Sequence, residues 1–339
     1  MRPTQVVAAL NLLIDAKQPV MLHGSPGVGK SQVVKQVADK KDMEFIDLRL
    51  SQLDPVDLRG VPSIKEHQTT WNPPDFLPKG GKGVLFLDEI NSAAQATQAA
   101  AYQLVLDRKL GDYELPKGWA IIAAGNRSAD RAIVNQMSTA LKNRFTHLNF
   151  EVNNEDWCDW ALKHDIATEV ISFIRFRPML LNEFEARGNS KEEKDRLQRM
   201  KDANAFATPR SWEYMSRVVS QKPSGEIEYD LYSGIVGDGP AAEFMGFLKY
   251  YRDLPNLDAV LMNPGKAPVP TEPATLYALS TGLAAKATED NMERVVKYAL
   301  RLPAEFQVLL VKDAVVRDPQ LTTTKAFNKW AIANQEVLF

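Results

Sequence analysis

The chain has 339 residues, long for a single core and enough for two or three domains. Hydrophobic residues make up 45% and charged residues 25%, and 41 Lys and Arg against 43 Asp and Glu give a net charge of −2, without the global basic excess usual in a nucleic-acid binder. The single cysteine, Cys158, excludes an intrachain disulfide and fits a reducing compartment, and the four histidines show no zinc-like spacing.

In chain order, residues 3–16 read as a helix with Val6, Leu10, Leu13 and Ile14 on one stripe. Asn11 and Asp15 interrupt that stripe and no small-residue cleavage site follows, so a helix is expected rather than a signal peptide. No apolar run approaches a membrane span, and the expectation is a cytoplasmic globular protein. "PVMLHG" reads as a short buried strand, "KSQVVKQVADKK" as a helix with Val33, Val34 and Val37 inward, and "MEFIDLRL" as a second strand. Residues 54–80, rich in Pro and Gly, read as an insertion with a hairpin. "GVLFLDEI" is a continuous apolar run ending in two acids, as a central parallel strand requires. A helix over "SAAQATQAAAYQLVLDRK", a buried strand over "WAIIAAGN", a helix over "MSTALKNRF" and a strand over "THLNFEV" complete the alternation.

Alternating strands and helices argue for a parallel sheet covered on both faces. The expected architecture is therefore α/β: an αβα core over residues 1–152, with insertions near 54–80 and 106–118. All-helical segments occupy 153–262, and a proline-rich linker with further helices occupies 263–339. Residues 187–203 are highly charged, and Cys158 reads as a small packing residue.

Gly24-Ser25-Pro26-Gly27-Val28-Gly29-Lys30-Ser31 matches G-x-x-x-x-G-K-[ST], after a strand and at the start of a helix. Glycines lack Cβ atoms, so backbone N–H groups can close around phosphate oxygens, and the helix adds its positive dipole end. Lys30 is placed to reach the terminal phosphates of ATP and Ser31 to ligate Mg²⁺. Roughly 57 residues on, Asp88 at a strand end can hold the same Mg²⁺, and Glu89 can polarise the attacking water. Asn126 ends the next buried strand, where a neutral amide can hold that water without competing for the metal; an ordinary turn Asn is the alternative. Arg144 and Arg210 are each either solvated charges or phosphate-facing cations, and spacing alone does not choose.

The ordered set "GSPGVGKS", "VLFLDEIN", "AAGN", "LKNRF" and "TPRSWE" resembles the AAA+ ATPases, and within them the MoxR branch with its CbbQ and NorQ relatives. "DPVDLRG" and "RKLGDYELPKGWAIIAA" are similar to that branch's two insertions, and the likeness covers residues 1 to about 220. It implies a P-loop NTPase core, a helical lid and a hexameric ring of identical subunits with ATP between them. It also implies Asn126 as first sensor, Arg144 as the finger reaching a neighbour's nucleotide, and Arg210 as the lid sensor. A protein client, remodelled or activated with help from a partner carrying a von Willebrand factor A domain, belongs to the same implication. Where relatives carry arginine after "DEIN", Ser92 stands here, so that role is absent or falls to Arg108 or Arg131; Arg131 also rivals Arg144. Trp71, Phe76 and Tyr113 on the insertions either grip polypeptide or pack within their hairpins. An ATP-gated scaffold with slow turnover is the alternative reading, and the acidic balance disfavours a nucleic-acid motor.

Overall fold

The computed structural model describes residues 1–65, 67–127, 137–185, 191, 195, 198 and 203–335. Its contacts divide the chain into two units, Met1–Asn153 and a second from Asn154 onward. Arg131 lies outside the described residues, as does most of the charged stretch 187–203.

In the first unit, α1 (Pro3–Asp15) starts with proline, which needs no N–H there, and buries Val6, Leu10 and Ile14. β1 (Val20–His23), α2 (Lys30–Lys40) and β2 (Glu44–Arg49) follow. The first insertion holds α3 (Pro55–Arg59), β3 (Val61–Lys65) and β4 (Gln68–Asn72). Then come β5 (Lys82–Asp88), α4 (Gln95–Asp107), the small hairpin β6 (Lys109–Leu110) and β7 (Tyr113–Glu114), β8 (Gly118–Gly125), α5 (Thr139–Lys142) and β9 (Thr146–Asn149).

Five strands form one sheet in the order β2-β5-β8-β1-β9, every pairing parallel. Side chains alternate between its faces. Met21, Leu85, Leu87, Ile121 and Ala123 join a core with α4, while Val20, Leu22, Val84, Phe86 and Ile122 join one with α1 and α2. Burial on both faces explains the unbroken apolar runs of β5 and β8. The register sets Leu87 opposite Ala123 and His23 opposite Gly125, so the carboxyl ends of β5, β8 and β1 lie level.

The helix expected over "MSTALKNRF" is a single turn, capped by the Ser138 hydroxyl. The chain must leave it early, because the Thr146 amide donates to the Pro19 carbonyl and starts β9. The two insertions hold each other: the Trp71 amide donates to Asp112 Oδ2 at 3.1 Å and the Tyr113 hydroxyl to the Pro78 carbonyl at 2.7 Å. Phe76 and Tyr113 are partly buried against the α4 core, so packing is their role in this unit. Gly60 joins α3 to the hairpin at φ +83°, where a Cβ would meet the Asn72 carbonyl.

The second unit is helical: α6 (Asn154–Leu162), α7 (Thr168–Phe176), α8 (Pro209–Ser220), α9 (Glu228–Val236), α10 (Asp238–Arg252), α11 (Leu257–Met262), α12 (Pro273–Ala285), α13 (Met292–Ala299), α14 (Ala304–Arg317) and α15 (Lys325–Ala333). Phe173, Trp212, Tyr232 and Phe244 form an aromatic centre from four helices. Arg175 and Asp313 meet at 2.6 Å in a buried ion pair between α7 and α14. The proline-rich stretch, expected as a linker, is tied down instead. The Tyr298 hydroxyl donates to the Pro268 carbonyl at 2.7 Å and Arg301 Nη1 to the Pro264 carbonyl at 2.6 Å, while Ala267 is buried.

Candidate functional site

The glycine loop leaves β1 and enters α2. Gly27 and Gly29 hold φ of +74° and +95°, the left-handed region that glycine reaches without strain. Gly29 caps α2 without a side-chain acceptor, so no side chain from the cap competes for the first-turn amides. The Gly24 amide donates to the Gly125 carbonyl at 3.3 Å, fastening the loop to β8. Ser25 and Val28 are buried, while Pro26 is half-buried at the bend. Lys30 folds back into the loop, its Nζ donating to the Gly24 carbonyl at 2.8 Å and the Ser25 carbonyl at 2.9 Å. That Nζ also lies 3.5 Å from Asn126 Oδ1.

β5 delivers the acids. Ser31 Oγ donates to Asp88 Oδ2 at 3.2 Å, and the Glu89 amide donates to Asp88 Oδ1 at 2.9 Å. Glu89 turns the chain at φ +55°, a left-handed conformation for a residue with a side chain. The Ile90 amide then returns to the Ala124 carbonyl at 3.1 Å. The Glu89 carboxylate accepts from the hydroxyl of Ser51, which sits in the short 3₁₀ turn Leu50–Gln52 leading to the first insertion. Partial desolvation, and next the Asp88 carboxylate, push the Asp47 carboxyl on β2 above its usual range.

Ser31 and Asp88 offer one hydroxyl and one carboxylate, hard oxygens of the kind Mg²⁺ accepts while keeping its remaining positions for water and phosphate. Among the described residues no group of three or more His, Cys, Asp and Glu is placed to hold a metal ion.

The tip of β8 carries features absent from the motif reading. Asn91, 4% exposed, clasps Asn126 through its backbone: Asn91 Nδ2 donates to the Asn126 carbonyl at 2.7 Å, and the Asn126 amide donates to Asn91 Oδ1 at 3.2 Å. A Cβ on Gly125 would stand 2.3 Å from that same Oδ1, so glycine makes room for the clasp. Arg127, the next residue along, donates to Ser25 Oγ on the glycine loop. "DEIN" contained Asn91 in plain sight; only the register of β5 with β8 gives it a partner.

The arginines are placed differently. Arg144 is exposed in the turn between α5 and β9. Arg210 is exposed in the first turn of α8 in the second unit, behind the cap made by the Thr208 hydroxyl. Arg108 is engaged at the base of the small hairpin, donating to the carbonyls of Pro116 at 2.9 Å and Trp119 at 2.7 Å.

Beside the loop, His23 Nε2 and His147 Nδ1 are 2.8 Å apart, and His147 Nε2 is 2.8 Å from the Lys142 carbonyl. A carbonyl only accepts, so His147 Nε2 carries the hydrogen and, in the neutral pair, its Nδ1 accepts from His23. Burial first, then the charges of His147, Lys30 and Lys142, lower the His23 pKa.

Residues 20–151 match the family described as ATPase family associated with various cellular activities (AAA). Midasin of Giardia intestinalis is 26% identical over 170 residues, a stretch covering 47% of this chain and 4% of that much longer protein. Similar solved structures include the RuvB Holliday junction branch migration motor of Thermotoga maritima, at 16% identity and a TM-score of 0.37, covering 88% of this chain and 86% of that one. NtrX of Brucella abortus in complex with ADP is similar at 11% identity and a TM-score of 0.42, covering 99% of this chain and 68% of that one. Among the described residues no helix is long and apolar enough to cross a membrane.

Proposed function

Starting from the match of residues 20–151 to the AAA family, we propose that this chain is an ATP-hydrolysing subunit of the MoxR kind, working in a homo-oligomeric ring to remodel or activate a protein client. The observation that carries the reading is the meeting of Lys30, Ser31, Asp88 and Asn126 at level strand ends around a glycine loop. Open α/β sheets bind ligands at that edge.

Lys30 and the first-turn amides of α2 bind and orient the phosphates of ATP. Ser31 and Asp88 would hold Mg²⁺, which when bound neutralises charge developing on phosphate oxygens. Glu89 takes a proton from water at a carboxylate oxygen while the Asn126 amide positions that water. As the water oxygen bonds to the terminal phosphorus, the bond to the bridging oxygen breaks, and ADP and phosphate leave. Arg144 is exposed, as a cation serving an adjoining copy must be.

The client surface proposed is the first insertion, where Val56, Val61 and Ile64 are 57%, 64% and 83% exposed. A partner with a von Willebrand factor A domain completes the reading, in a cytoplasmic setting that suits the single free Cys158.

The test is a subunit-mixing assay on the purified chain. Arg144→Ala and Glu89→Gln proteins are each expected to be inactive alone. Mixed, they regain turnover, because a subunit with intact Glu89 then borrows Arg144 from its neighbour. Steady subunit exchange without recovered turnover removes the shared site.

A further inference from the structure

We propose that Arg127 is a second cation of the nucleotide site, contributed by the same subunit, and that it makes the site distinguish a nucleoside triphosphate from a diphosphate. The inference deepens the ATPase reading and rests on it. Its ground is the hydrogen bond from the Arg127 guanidinium to Ser25 Oγ. Ser25 is 1% exposed, and its own carbonyl accepts from Lys30 Nζ at 2.9 Å, so two cations engage one residue of the glycine loop.

Placement follows from the fold. Arg127 leaves the tip of β8 directly after Asn126, whose backbone is held by the two Asn91 bonds at 2.7 and 3.2 Å. The residue is therefore presented from a fixed strand end. Ser25 lies on the β1 side of the loop, away from the amides that open α2, and Gly24 beside it is fastened to Gly125. The neighbouring strand end, that of β8, carries Asn126, and Glu89 follows β5 one strand further on, both where the terminal phosphate would be attacked. A cation there faces the end of the triphosphate rather than its base.

The chemistry favours an exchange of partners. A guanidinium meets two phosphate oxygens in a fork of two parallel bonds with both partners ionised, against the single bond it makes to a hydroxyl. The Ser25 hydroxyl is a neutral acceptor. Arg127 is thus expected to shift from Ser25 Oγ to the terminal phosphate of ATP, and to find no equivalent group on ADP. Lysine at this position would keep the charge and lose the fork.

The experiment measures equilibrium binding of ATP and ADP with magnesium by calorimetry, using the full chain in the Glu89→Gln background to prevent turnover. Adding Arg127→Ala is expected to weaken ATP by about tenfold or more while ADP stays within about twofold. Arg127→Lys is expected to fall between, and ADP affinity serves as the folding control. Equal loss of both nucleotides in both variants, or no loss of either, overturns the proposal. A Glu89→Gln protein that binds neither nucleotide, with Lys30→Ala no different from it, sinks the ATPase reading itself and this inference with it.

Discussion

The hydroxyl of Ser51 donates to the carboxylate of Glu89, joining the turn before the first insertion to the acid proposed to activate water. The hydrogen bond from Ser51 occupies one lone pair of that carboxylate and fixes its orientation, in competition with an attacking water. Ser51→Ala is expected to raise steady-state turnover and leave ATP affinity unchanged, whereas Glu89→Gln lowers turnover by about 10²-fold or more. Phosphate-release kinetics check both, and a fall in turnover for Ser51→Ala would assign the serine a supporting role instead.

Asn91 is expected to matter out of proportion to its silence in the motif. Asn91→Ala strands the amide and carbonyl of Asn126, a loss of about 1–3 kcal/mol in folding free energy. Urea unfolding measures that cost. Turnover should drop with it while nucleotide binding through Lys30 and Ser31 survives, which direct titration reads.

The Arg175–Asp313 pair sets a test of the second unit. Burial raises the Asp313 carboxyl from 3.8 to about 6, against the opposing pull of Arg175. A carboxyl raised in the fold binds its proton more tightly there than in the unfolded chain, so its contribution is full below 3.8 and is lost as pH rises through about 6. Asp313→Asn should flatten that component of thermal unfolding between the two values. At neutral pH the same change leaves Arg175 buried and uncompensated, at a cost of about 3–5 kcal/mol.

His23 gives the opposite slope. Its folded pKa lies below 6.5, so the neutral ring is favoured by the fold. The contribution is present above 6.5 and is lost as pH falls through the folded value. Replacing His23 by Gln should reduce the acid sensitivity of the melting temperature in that window. An unchanged pH profile would remove His23 as its source.

What the sequence disclosed and what it hid divide along one line. The glycine loop, Asp88 and Glu89 were legible because phosphate and metal chemistry is written in contiguous residues after recognisable strands. The parallel sheet was legible because burial on both faces demands unbroken apolar runs such as "VLFL". Ser51 on Glu89, Asn91 on Asn126 and Arg127 on Ser25 were hidden, since each joins residues far apart in the chain through sheet register. The helix around Arg144 was overestimated because a good helical pattern yielded to the demand of β9. Prolines at 263–273 read as a linker, yet their carbonyls serve as acceptors for α13 and the residues after it.

The clasp at Asn91 predicts an evolutionary signature. The amide oxygen at position 91 and any side chain at position 125 claim the same space, 2.3 Å apart. A lineage cannot explore one site without surrendering the other, so substitutions at the two should arrive together or be purged. Placing the glycine of one descendant beside the altered neighbour of another would produce a mismatched chimera, folded in its sheet but slack at the strand tip where Asn126 must stand.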